Sequence, residues 1–94
     1  MIGVTARLPV QAGKEAEFEA VFGALAEKVN ANEAGCHLYE LYRTPGTPDY
    51  IVLERYADRA ALDAHGKTDY FLAAQPALGG LLAGVPKIEV FESV

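Results

Sequence analysis

The chain has 94 residues, of which 51% are hydrophobic and 22% charged, with a formal net charge of −5 at pH 7. A domain this short buries a modest share of its surface and needs support from disulfides, a metal or a partner. Cys36 is the only cysteine, which excludes a disulfide, and one cysteine with His37 and His65 falls short of a four-ligand structural zinc site, so self-association is the expected support.

The eight basic residues are scattered and form no footprint for a phosphate backbone, so nucleic acid is not an expected partner. Residues 1–7 lack a basic stretch followed by an apolar one, and no run approaches the roughly 18 apolar residues of a membrane span. The expected setting is the cytoplasm, away from membranes, with Cys36 reduced.

In chain order, Ile2, Val4, Ala6 and Leu8 alternate with Gly3, Thr5 and Arg7, which predicts a strand over 2–9 ending at Pro9. After the Gln11-Ala12-Gly13 turn, Phe18, Val21, Phe22, Leu25 and Val29 recur at helical spacing, with Glu15, Glu17, Glu19, Glu27 and Lys28 largely off that stripe. A helix of about five turns closing near Asn30-Ala31-Asn32 follows. Residues 36–43 and 50–56 read as two strands joined by the breaker-rich run Thr44 to Asp49, the pattern of an antiparallel hairpin. Asp58 is placed to cap a helix ending at His65, and a second helical piece runs from Asp69 to Ala74, up to Pro76. Gly79, Gly80 and Gly84 punctuate a connection to a last strand over 87–92.

This order is β-α-β-β-α-β, so the expected fold is α+β and ferredoxin-like, with one domain over 1–94 and helices on one face of a four-stranded antiparallel sheet. The alternation puts Tyr50, Val52 and Tyr56 on one side of their strand, with Ile51 and Leu53 on the other. On the preceding strand it opposes Cys36, Leu38 and Tyr42 to His37, Tyr39 and Leu41. Both sheet faces carry large apolar groups, so the second face is expected to be covered by another copy in a homodimer.

Several side chains have the chemistry to make a site. His65, near the end of its helix, is either a capping histidine favoured by the dipole or a general base lining a cavity under the helices. His37, at a strand start, reads as an edge or interface histidine more readily than a catalytic one. Tyr39, Tyr42, Tyr50, Tyr56 and Tyr70 are many tyrosines for so short a chain, and two of them are expected to wall a pocket for an aromatic ligand. Glu54 is a charge in mid-strand among apolar neighbours, and a salt bridge fixing the fold or the dimer is its expected role.

No Gly-rich phosphate loop follows the first strand, no Cys-x-x-Cys or His-x-x-x-His occurs, and Ser93 is the sole serine, outside any nucleophile elbow. Gly66-Lys67-Thr68 imitates the end of a P-loop without the upstream glycine or preceding strand.

Three segments carry a family resemblance: Glu33-Ala34-Gly35-Cys36 running into His37-Leu38-Tyr39, Tyr50 to Tyr56 through Glu54, and Ala60 to His65 with Thr68 beyond. The chain resembles the antibiotic biosynthesis monooxygenase domain family, whose members show Glu-x-Gly-Cys, a strand ending Glu-x-Trp and a helix ending Ala-His. The likeness spans nearly the whole domain and is strongest toward the bacterial quinol monooxygenases. Tyr56 stands where the family usually has Trp, and Tyr70 where many members carry a second His.

The resemblance implies a dimeric α+β barrel and a monooxygenase that needs no metal, flavin or other cofactor, acting with O₂ on a quinol, phenol or polycyclic aromatic. It makes His65 the acid/base or orienting group and Tyr39 and Tyr56 the residues that hold the substrate. Phe22, Leu25 and Phe71 become the apolar wall, with His37 and Tyr70 as further substrate-binding candidates and Glu54 as a tethering charge. An isomerase, or a non-enzymatic module binding a small molecule, on the same fold is the alternative. The haem-degrading branch is less well matched, because the first strand has no asparagine and the chain has no tryptophan.

Overall fold

The alternation over the first residues becomes strand β1, Ile2–Pro9, in a computed structural model that describes all of residues 1–94. Helix α1, Glu15–Asn32, runs for five turns and buries Phe18, Phe22, Leu25 and Val29, the stripe that its periodicity predicts. Each of these side chains gains about 1.5–3 kcal/mol from leaving water, which fixes the helix on the sheet. The hairpin pairs β2, Cys36–Arg43, with β3, Asp49–Tyr56. Gly46 occupies the left-handed region in the tip, with φ of 81°, a conformation that costs glycine little.

Helix α2, Arg59–His65, starts where the Asp58 side chain accepts the Ala61 amide at 2.9 Å. Helix α3, Asp69–Gly79, is longer than expected: it continues through Pro76 instead of stopping before it. Phe71, Ala74 and Leu78, three to four residues apart, pack against the main core, and that burial holds the last turn together despite the missing amide. Strand β4, Lys87–Glu92, closes the sheet.

All pairings are antiparallel and the strand order is β2-β3-β1-β4, the ferredoxin-like arrangement. The register sets Val4 and Tyr39 on either side of Glu54, and Ala6 and Leu41 on either side of Val52, all on the face under the helices. Gln11 secures the connection before β4: its side-chain amide donates to the Gly80 and Leu82 carbonyls at 3.2 and 3.0 Å.

One expectation about the faces is corrected. Cys36 pairs with Tyr56 and Leu38 with Arg55, so His37 is an extra residue without a partner, a bulge. The inserted residue shifts the parity only ahead of it, so Cys36 joins Tyr39 and Leu41 beneath the helices, while Leu38 and Tyr42 face away as expected. The opposite face of the sheet carries Leu38, Tyr42, Ile51, Leu53 and Phe91. Within one protomer it has no helical cover, leaving Tyr42 48% and Phe91 51% exposed.

Candidate active site

Four elements converge on His65. It is the last residue of α2, only 4% exposed, and Thr68 holds the following turn by donating from its hydroxyl to the His65 carbonyl at 2.9 Å. That hydroxyl also accepts the Phe71 amide at the start of α3, so one threonine ties the two helices at a fixed angle around the histidine.

Glu33, the residue that follows α1, reaches across to Nδ1 of His65, with its two carboxylate oxygens at 3.0 and 3.2 Å. The Tyr70 hydroxyl donates to Oε2 of the same carboxylate at 2.5 Å. A carboxylate at a helix C-terminus opposes the helix dipole, and here two donors compensate. Burial and the Glu33 hydrogen bond push the Tyr70 phenol up to about 12, so it remains a neutral donor.

Aromatic rings enclose the imidazole. The ring centroids of Phe71, Tyr39 and Tyr56 lie 4.7, 5.2 and 5.5 Å from that of His65. With Nδ1 committed to Glu33, Nε2 is the nitrogen left without a protein partner, and it is not sealed off. The Tyr39 hydroxyl is likewise unpartnered, while burial drives its ionisation far above the ordinary range.

These atoms open onto a cavity of about 440 Å³ between the helices and the sheet. Phe22, Leu25, Tyr39, Glu54, His65 and Phe71 line it, and the volume suits a small ring system. A hollow of about 580 Å³ beside the hairpin tip is a weaker candidate. Its charged groups already serve each other or the frame, as in Arg43 with Glu19 and Asp49 with Arg7.

The structure thus brings His65, Tyr39, Phe22, Leu25 and Phe71 to one chamber. Tyr56 stands behind His65, fully buried, and donates its hydroxyl to Oε1 of Glu54 at 2.6 Å. Tyr70 lies outside the cavity wall and acts on His65 only through Glu33. His37 sits exposed on the bulge, away from the chamber, which corrects its placement among the ligand contacts; the extra residue of β2 is what turns it out. Within the protomer Glu54 forms no salt bridge, contrary to the expectation of one that fixes the fold, because no Lys, Arg or His nitrogen lies at ion-pair distance from its carboxyl group. Burial pushes its carboxyl up, partly offset by the Tyr56 hydrogen bond and nearby His65. No three His, Cys, Asp or Glu side chains converge to hold a metal ion.

Sequence reasoning missed Glu33 as the partner of His65, and it missed the cavity contributions of Gln75, Leu78 and Leu82. A signal for Glu33 existed: an acid at the carboxyl end of a long helix is electrostatically misplaced unless it has an engagement elsewhere.

A split βαβ sheet whose helices roof an apolar chamber around a carboxylate-anchored histidine defines a small α+β domain of ferredoxin-like topology. The chain belongs to the antibiotic biosynthesis monooxygenase family, whose model matches residues 1–77. It is 30% identical over 81 residues to Rv0793 of Mycobacterium tuberculosis, a protein with a provisional monooxygenase name, covering 86% of this chain and 79% of that one. A crystal structure from Caulobacter crescentus, provisionally named for the same family, superposes with a TM-score of 0.96 at 53% identity, over 99% of this chain and 89% of that one. SnoaB of Streptomyces nogalater, described as a cofactor-independent oxygenase, superposes with a TM-score of 0.85 at 25% identity, over 98% and 91% of the two chains.

Proposed function

We propose that the protein is a cofactor-independent monooxygenase that uses O₂ to oxidise a quinol, phenol or polycyclic aromatic bound in the chamber beneath the helices. The observation that carries this reading is the pairing of an apolar cavity with a histidine whose Nδ1 is fixed by Glu33 and whose Nε2 is free.

Nε2 of His65 takes the proton of the bound hydroxyl, and Glu33 stabilises the imidazolium that forms. The phenolate passes one electron to O₂, giving a substrate radical and superoxide, which combine to form a carbon–oxygen bond. His65 returns its proton to the peroxide. Loss of water then breaks the O–O bond and removes the ring hydrogen, so that one oxygen atom ends in the product and one in water. Phe22, Leu25 and Phe71 keep the radical pair from bulk solvent, Tyr39 orients the ring, and Tyr56 supports His65 from behind.

The reading includes a homodimer joined through the uncovered sheet face, which carries Leu38, Tyr42, Ile51, Leu53 and Phe91. No helix is long and apolar enough to cross a membrane, and a cytoplasmic setting with Cys36 reduced accords with this reading.

The test is O₂ consumption with menadiol or a polyphenol above the enzyme-free rate. The reading expects substrate-dependent uptake that the His65→Ala variant loses by about 100-fold or more. Conversion that proceeds equally without O₂ identifies an isomerase, and binding without conversion a carrier or sensor.

A further inference from the structure

Glu54 is the only carboxyl group lining the cavity, and the proton-transfer route through His65 does not use it. Its Oε1 accepts the Tyr56 hydroxyl, no protein group bonds its second oxygen, and that oxygen is not sealed in the interior. An ionised carboxylate with one donor in an apolar chamber carries a large desolvation cost. A neutral carboxylic acid avoids the cost: Oε1 stays the acceptor for the Tyr56 hydroxyl, and an O–H on the second oxygen is left to an acceptor in the cavity.

The groups facing Glu54 are Tyr39 and Cys36 on β2, Tyr56 on its own strand, His65 on α2 and Glu33 after α1, while its β1 neighbour is Val4. Of these only His65 can favour the charged form by its own charge, and His65 is already engaged by Glu33. Tyr39, directly across from Glu54 in the ladder, also lines the cavity and has an unpartnered hydroxyl.

We infer that Glu54, as a protonated carboxylic acid, and Tyr39 form a two-donor seat for an oxygen of the bound aromatic, one that gains negative charge when His65 removes the substrate proton. The ligand class is thus narrowed to ring systems with a carbonyl or hydroxyl conjugated to the acidic position, because only these deliver the developing charge to an oxygen that the two donors can reach. Glu54 is then a catalytic residue by hydrogen-bond donation alone, with no proton leaving it. The inference relies on the cavity invoked for the oxygenase reading, yet it is read from ligand binding without turnover. A failed O₂ assay leaves it standing, and a failed binding assay leaves the oxygenase reading standing.

The experiment is infrared difference spectroscopy of the whole protein at neutral pH, with menadione as an oxygen-bearing ring probe. The wild type is expected to show a carboxylic-acid C=O band that Glu54→Gln lacks, and menadione is expected to shift that band to lower frequency. In titrations, Glu54→Gln, which keeps a neutral N–H donor, holds menadione within about threefold of wild type. Tyr39→Phe, and Glu54→Leu combined with Tyr56→Phe so that no hydroxyl is stranded, each weaken it about tenfold. Absence of the band, a band that menadione does not move for any reason, or unweakened binding by the Leu/Phe variant overturns the inference. Should that double variant fail to fold by circular dichroism, the wild-type and Gln spectra decide alone.

Discussion

Glu33 grips Nδ1 of His65 with both carboxylate oxygens, at 3.0 and 3.2 Å, across 32 positions of sequence. The grip fixes which imidazole nitrogen carries a hydrogen and turns the other one toward the chamber. Replacing Glu33 with Ala is expected to lower kcat for O₂ uptake by about 100-fold, the order of effect of a misaligned catalytic group, with KM much less changed. Tyr70→Phe, which removes one of the two donors to Glu33, is expected to give a smaller loss in the same direction. Steady-state kinetics on both variants check the ranking.

Gly35, in the turn just before β2, packs against Ala61 of α2. A Cβ placed on it would lie 2.8 Å from the Ala61 Cβ, which is fixed to the helix backbone and cannot rotate away. Gly35→Ala therefore displaces the helix that carries His65 and is expected to cost about 1–3 kcal/mol of stability along with activity. Combining it with Ala61→Gly removes the second methyl and is expected to restore both. Denaturant unfolding and O₂ uptake on the single and double variants decide the matter.

Most of the frame was legible in the chain because one-face burial imposes a period. The Phe18, Phe22, Leu25 and Val29 stripe located α1, and Asp58 marked the start of α2. Cys36 was assigned to the wrong face because periodicity counts every residue, whereas the ladder skips His37; nothing local to that residue announces a bulge. The continuation of α3 past Pro76 depends on tertiary burial of Leu78, which outweighs a local rule. At the site, residue type pointed to His65 and to the tyrosines as a group, and the family resemblance singled out Tyr39. The joining of Glu33 to His65 is a long-range contact that spacing does not encode.

All five tyrosines have raised phenol pKa values. Burial is the leading cause at Tyr39, Tyr50, Tyr56 and Tyr70, and the Glu40 hydrogen bond at Tyr42. A raised folded-state value means that the associated stability is complete below the ordinary value of 10.0 and is lost as pH rises beyond it. The folded protein is expected to show little phenolate absorbance at pH 10, then a cooperative rise as it unfolds. A gradual titration spread around pH 10, with the fold intact, contradicts this.

The acid limb has a different origin. Hydrogen bonds from Tyr50 and Arg43 hold the Glu19 carboxyl below its ordinary 4.5, so its contribution is present above that value and disappears as pH falls through the lowered one. The melting temperature of Glu19→Gln is expected to lie below wild type at neutral pH, with the gap closing below about pH 4.5. Paired thermal scans across that range provide the check.

The apolar wall is also structural. Leu25 is 4% exposed and lines the chamber, so Leu25→Ala is expected to destabilise the fold by about 2–5 kcal/mol while enlarging the space for ligand. Calorimetry reads the first effect. A shift in preference toward bulkier aromatic substrates reads the second.

The fate of the two oxygen atoms tests the central claim most directly. With heavy-isotope O₂ in ordinary water and an aromatic substrate that turns over, mass spectrometry is expected to find one heavy atom in the product and the other in water. Product that carries oxygen from the solvent, or that forms at an undiminished rate under nitrogen, would contradict a monooxygenase centred on His65.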